Sequence, residues 1–141
     1  MAFFHPLYNN ARSCYTILMN FLRRLKKRFI KFPLRRYLTQ TGYATTQDAL
    51  RQSKVGDPLQ IVRLDDDCAY VYSVELNALI GKIDSQTTKR LSGVFGKRFC
   101  LDGTLAVKTG GLPYKFYGGA VDVYDSATFM SNVEDFERLR N

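Results

Sequence analysis

LQIVRLDDDCAYVYSV, residues 59 to 74, sets two apolar runs on either side of three consecutive aspartates. Both runs, 59–64 and 69–74, are rich in Ile, Val and Tyr, which fit the pleated, half-buried surface of a sheet. Both are short for a helix, so both read as strands. Asp65-Asp66-Asp67 then has two readings. Carboxylates suit a hard cation such as Mg²⁺ or Ca²⁺, which prefers oxygen ligands. Successive side chains of a strand point to opposite faces, however, so three adjacent acids converge only if a turn folds them. The alternating acids, glycine and distant glutamate of an EF-hand are not here. A solvated turn between two strands is the expected reading.

The same logic extends outward. Gly56-Asp57-Pro58 is a turn leading into the first run. Asn77 sits in a turn before a third strand, 79–83. Ser85 can cap a short helix through about Phe95, with Leu91, Val94 and Phe95 facing the core. Residues 98–107 read as a long strand interrupted at Asp102-Gly103. Gly110-Gly111 and Gly118-Gly119 bracket a hairpin, and 120–125 is the last strand. Ser131 to Glu134 has capping-box spacing and opens a helix to about Leu139. Upstream, Thr45-Thr46-Gln47-Asp48 starts another short helix, and 34–43 is a linker or a first strand. Most connections are too short for parallel crossovers, so the strands are expected antiparallel. The fold class is mostly β with small helices (α+β): a compact, OB-like antiparallel barrel or curled sheet.

The charge is unevenly placed. The 141 residues carry a net charge of +8. Residues 1 to 47 hold nine cations and no acid, whereas the rest holds twelve cations and thirteen acids. Within 13–32, Tyr15, Leu18, Met19, Leu22, Leu25 and Phe29 recur at helical spacing, Ser13 is a plausible cap and Pro33 ends the pattern. A basic helix over about 13–31 is expected, within an arm of residues 1–36 that precedes a barrel domain of residues 37–141. Such an asymmetry suits an anionic partner, nucleic acid or membrane surface. No apolar run approaches the roughly 18 residues of a membrane span. Three widely spaced cysteines, Cys14, Cys68 and Cys100, fit neither a disulfide framework nor a zinc site. A reducing, intracellular and cytoplasmic setting is expected; the acid-free, Arg-containing N-terminus alternatively suits a mitochondrial presequence.

Catalytic chemistry finds little support. The single histidine, His5, stands beside Pro6 near the N-terminal end. Cys68 and Cys100 lie in strand patterns and read as small buried hydrophobes. Gly93-Val94-Phe95-Gly96-Lys97-Arg98 lacks the spacing of a phosphate-binding loop. No catalytic residue, metal or cofactor is expected. Single-stranded nucleic acid needs cations for phosphates and aromatics for bases. Tyr37, Tyr43, Tyr70, Tyr72, Tyr114 and Tyr117 are the stacking candidates.

Residues 41 to 91 add a more specific pattern. Gly42, Gly56, Asp57, Leu59, Val62, Arg63, Asp66, Ala69, Ile80, Gly81, Ile83 and Leu91 fall in the order of the HIRAN domain. The spacing fits without a gap from Ala69 to Gly81, and Leu79-Ile80-Gly81-Lys82-Ile83 after an Ala-led strand is the most informative part. The segment resembles that family over about 50 residues, and over about 80 with the C-terminal strands. The resemblance implies a mostly β, OB-like barrel that binds single-stranded DNA, particularly a 3′ end in repair or replication. In the family an Asn-Pro-Tyr-Asp loop helps sandwich a base, and its Asp contacts the terminal sugar hydroxyl. Here only Leu64 and Asp65 stand between Arg63 and Asp66, so Asp66 alone carries over. The family's first-strand Arg and Tyr fall near Thr45 and Thr46. Tyr72 and Tyr43 are the rings that could stand in for the missing one.

The expected function is therefore a non-enzymatic, nucleic-acid-binding module. Its barrel face would use Tyr43, Arg63, Asp66, Tyr72, Lys82, Lys89 and Arg90, while Arg23, Arg24, Lys27 and Arg28 of the basic helix clamp phosphates. The alternative is a protein-interaction or anionic-membrane module docking through helix 13–31.

Overall fold

The two runs around the aspartates do pair. In the computed structural model, which describes residues 14–22, 30–113 and 116–127, Pro58–Arg63 (β2) and Tyr70–Ser73 (β3) form an antiparallel ladder in which Val62 faces Tyr70 and Leu59 faces Ser73. Asn77, at φ 49°, turns the chain into Ala78–Lys82 (β4). With Leu34–Tyr37 (β1), Phe99–Thr109 (β5) and Gly118–Ala127 (β6), these make one six-stranded sheet of order β1-β6-β5-β2-β3-β4. Every pairing is antiparallel. The protein is thus an α+β fold built on an antiparallel sheet.

Two helices accompany the sheet, Ala44–Gln52 (α2) and Ser85–Phe95 (α3). A third helical stretch, residues 14–22 (α1), belongs to a separate compact unit, Met1–Lys31, while the sheet unit runs from Phe32. The boundary therefore falls at 31/32 rather than 36/37, because Leu34–Tyr37 pairs along its whole length with β6. Arg35 and Arg36 belong to the sheet, not to the arm. The expected helix is not continuous to Lys31, since Ile30 and Lys31 are not helical. The expected C-terminal helix at 131–139 lies outside the described residues.

Alternation sorts each strand into a core face and an outer face. Leu34, Leu59, Ile61, Val71, Ile80, Leu101, Leu105, Val121 and Val123 are all buried and form the core with Leu50 of α2 and Leu91 of α3. Arg36 and Arg63 stand two residues from Leu34 and Ile61 and so share the core-side face. Their guanidiniums reach Thr87 and Ser92, so α3 lies across the core side.

The ladder is open, with β1 and β4 as its edges. Of the barrel or curled sheet expected from sequence, the structure has the curled sheet, with one bridge across the seam. Just past β1, Thr39 N–H donates to Lys82 C=O at 2.8 Å, and Lys82 N–H donates to Thr39 C=O at 3.0 Å. Leu38 N–H donates to Gly119 C=O of β6 on the other side. One short segment thus touches both ends of the sheet. Gly81 explains how it approaches: a Cβ there would lie 3.2 Å from Leu38 Cβ and 3.2 Å from Thr39 O. The glycine of Leu-Ile-Gly-Lys-Ile lets the two backbones come this close without a side chain to displace.

β5 is one strand of 11 residues, so Asp102-Gly103 does not break it, but the register against β6 shifts there, between Leu101 and Gly103. A Cβ on Gly103 would stand 2.5 Å from Ile61 Cδ1 and 2.8 Å from Asp122 O, so glycine permits close packing there. The hairpin at 110–119 exists, with β5 and β6 as its arms. Helix starts differ from expectation. Tyr43 precedes α2 without a side-chain capping bond, so Thr45 and Thr46 do not cap it. Asp84, not Ser85, caps α3.

Gly81→Ala should destabilise the sheet unit by about 1–3 kcal/mol, because the crossing segment must shift. Gly42→Ala, with open space around it, should be neutral within about 0.5 kcal/mol. Urea denaturation of both variants measures the difference.

Candidate nucleic-acid interface

The three aspartates are held from behind by α3. Asp84 accepts from the Thr87 N–H at 3.0 Å and from its hydroxyl at 2.8 Å. This satisfies the helix start and fixes α3 at the end of β4. One turn on, Thr88 accepts from the Ala69 N–H at 3.0 Å and donates to the Asp84 carbonyl at 2.9 Å. Ser92, donating to the Thr88 carbonyl, accepts from Arg63 Nη1 at 2.6 Å. Arg63 Nε donates to the Asp66 carbonyl at 3.3 Å. Both ends of the turn, Arg63 and Ala69, are therefore pinned to one helix. Asp65 and Asp67 are exposed and Asp66 is half-buried. Among the described residues no group of three or more His, Cys, Asp or Glu side chains could hold a metal ion.

The outer face of the sheet is chemically different. Register places Cys100, Val62, Tyr70 and Lys82 in one row across β5, β2, β3 and β4, and Asp102, Gln60, Tyr72 and Leu79 in the next. Val62, Leu64, Tyr70 and Cys100 form a small buried cluster against which Tyr72 and Leu79 pack. The rings of Tyr70 and Tyr72 have centroids 6.1 Å apart, tilted by 38°. Lys82 Nζ stands 4.7 Å from the Tyr70 centroid, within cation–π range. Tyr70 is 9% exposed, so it acts as a buttress. Tyr72 is the half-exposed ring that rests on it.

The same face continues to the other edge. Arg35 faces Asp122, which faces Thr104. Arg35 donates from Nε and Nη2 to the two carboxylate oxygens of Asp122, at 2.9 and 3.1 Å. Those bonds hold the Asp122 carboxyl below its ordinary range. Tyr37, 72% exposed, and Tyr124, 38% exposed, lie within electrostatic reach of Arg35. The Tyr124 hydroxyl lies 3.2 Å from that of Thr104.

The residues expected to share one surface are divided among several. Tyr72 and Lys82 come together on the outer face. Arg63 is on the core side, spent on Asp66 and Ser92. Lys89 and Arg90 are exposed on α3, whose Thr87, Thr88, Leu91 and Val94 face the core. Tyr43 is 65% exposed at the start of α2. Arg23, Arg24, Lys27 and Arg28 lie outside the described residues. Sequence reasoning missed Arg35 and Tyr124 as members of the outer face. Their signal was the alternation with buried Leu34, Val121 and Val123.

A concavity lies between α2 and the β5–β6 connection, lined by Gly42, Ala44, Gln47, Asp48, Arg51, Phe116 and Tyr117. Gln47 closes its floor. Its amide accepts from the Tyr117 N–H at 2.7 Å and donates to the Tyr117 carbonyl at 2.9 Å. Arg51 is paired with Asp48. The polar groups at this floor serve each other.

Partial burial pushes the Asp84 carboxyl up, but the Thr87 bonds and the field of Arg36 outweigh it and leave the group below its ordinary value. Asp122 is depressed too. Groups depressed on folding contribute stability that is present above the unfolded value, about 4. That stability is lost as pH falls through the lower folded values. Urea midpoints should therefore drop below about pH 4, and Asp84→Asn with Asp122→Asn should flatten the drop. Asp84→Ala should cost about 1 kcal/mol at neutral pH. Compared with known proteins, the chain matches no family model, no curated protein and no solved structure.

Proposed function

We propose that the sheet unit is a nucleic-acid-binding module that takes single-stranded DNA across its outer face, in a repair or replication setting, by binding rather than by catalysis. The observation that carries this reading is the half-exposed Tyr72 ring, buttressed by Tyr70 with Lys82 beside it. That face also bears the exposed rings of Tyr37 and Tyr124 around Arg35. Aromatic faces stack on any base, and two cations offer contacts to phosphates. The resemblance to the HIRAN domain points to the same ligand class. Recognition of a 3′ end would fall to Asp66, in the turn that Arg63 and α3 hold.

Asp102 and Asp122 share the outer face, so phosphate attraction there is limited and stacking supplies most of the affinity. Two variants separate the terms. Tyr37→Ala removes a ring that is 72% exposed and should weaken a labelled single-stranded oligonucleotide by about 5- to 150-fold without altering the salt slope. Lys82→Gln should weaken binding and reduce the slope of log K against log salt by about 0.7. Fluorescence anisotropy of the full chain at two salt concentrations reads both. No binding at low salt would overturn the reading. Equal affinity for free and blocked 3′ ends would overturn only the end-recognition part.

A further inference from the structure

We infer that α1 docks on the surface of an anionic lipid bilayer, with the cations that follow it held among the headgroups. The helix exposes Tyr15, Ile17, Leu18, Phe21 and Leu22, each between 40% and 66%. At about 100° per residue, these side chains and Met19 sweep more than half of the circumference. Thr16 and Asn20 occupy the remainder, and residues 14–22 contain no charge. An apolar arc this wide is more than a helix needs to seat itself on one core. Directly after it, Arg23, Arg24, Lys26, Lys27, Arg28 and Lys31 supply six cations with no acid among them.

The segment thus demands two media in succession, one apolar and one anionic. A bilayer interface offers both within a few ångströms of depth. Nucleic acid has the phosphates but no apolar surface to receive Ile17, Leu18, Phe21 and Leu22. An ordinary protein groove would take the apolar arc and leave six unopposed cations without a use. In the sequence the charged Arg12 and Arg23 flank this stretch, which falls well short of the roughly 18 apolar residues of a membrane span. Among the described residues no helix is long and apolar enough to cross a membrane, and an amphipathic stretch of this kind suits the surface. Each cation near an anionic surface multiplies partitioning about fivefold.

The test uses the full chain and sedimentation with phosphatidylcholine vesicles, plain or mixed with phosphatidylserine. The chain should pellet with the mixed vesicles and bind plain ones at least about tenfold more weakly. Ile17→Asp with Phe21→Asp should lose at least about tenfold on the mixed vesicles while keeping its circular dichroism and its oligonucleotide affinity. Should that variant lose its dichroism, Ile17→Ser with Phe21→Ser takes its place. Absence of binding to mixed vesicles would overturn the inference. So would equal binding to both vesicle types, or parent-like binding by the variant. A parent that light scattering finds dimeric, with a monomeric variant, would assign the arc to a second copy and overturn it as well. Retained oligonucleotide binding by the variant keeps this inference separate from the one for the sheet face.

Discussion

Two hydrogen bonds between Thr39 and Lys82 close the curl on which the sheet unit depends. They join a segment that has just left β1 to the strand at the far edge of the sheet. A flat ladder could not bring those backbones together. The missing side chain of Gly81 eases the bridge, since a Cβ there would push Leu38 and Thr39 back by a few tenths of an ångström. Curling gives the sheet a core side, filled by Leu50, Leu91 and the inward residues of all six strands. It leaves an outer side where polar and aromatic side chains stand in rows. The register shifts within β3–β4 and β5–β6 bend the strands, and the seam joins the bent sheet's two ends.

Lys82 links these levels. Its main chain makes the seam, and its ammonium lies by the Tyr70 ring. The pair Tyr70 and Tyr72 is held from below by Val62, Leu64 and Cys100. A ring anchored this way loses little rotamer freedom when something stacks on it, which makes it a better platform than a free side chain. At the opposite edge, Arg35 neutralises Asp122, so that carboxylate repels a phosphate less than an unpaired one would.

Much of the sheet was legible because period-two alternation is local. LQIVRL, AYVYSV and the Asn77 turn required no distant information. The aspartates also read correctly as a turn, since adjacent strand residues diverge. What stayed hidden depended on partners far along the chain. Arg63 looked like a free cation, yet Ser92, 29 positions away, takes its guanidinium. Asp102-Gly103 looked like a break because glycine usually marks one. Only the approach of Ile61 and Asp122 shows why glycine is needed in mid-strand. Ser85 looked like the cap because serine favours that place, but Asp84 has the carboxylate that can take both Thr87 donors. The site was the least legible part, because a face is defined by register between strands and a single sequence states no register.

β1 and β6 are neighbours in the sheet, with Leu34 facing Val123. Among the described strands β1 comes first in the chain, yet its partner β6 comes last. β2, β3 and β4 can pair as local hairpins, whereas Leu34–Tyr37 must wait for Gly118–Ala127 and then close a long loop at an entropic cost. Through that interval β1 is an unpaired edge, open to pairing with other chains. Its middle residues are Arg35 and Arg36. Two like charges on so short a strand disfavour its pairing with a second copy of itself, and in the folded sheet they bond Asp122 and Thr87 instead.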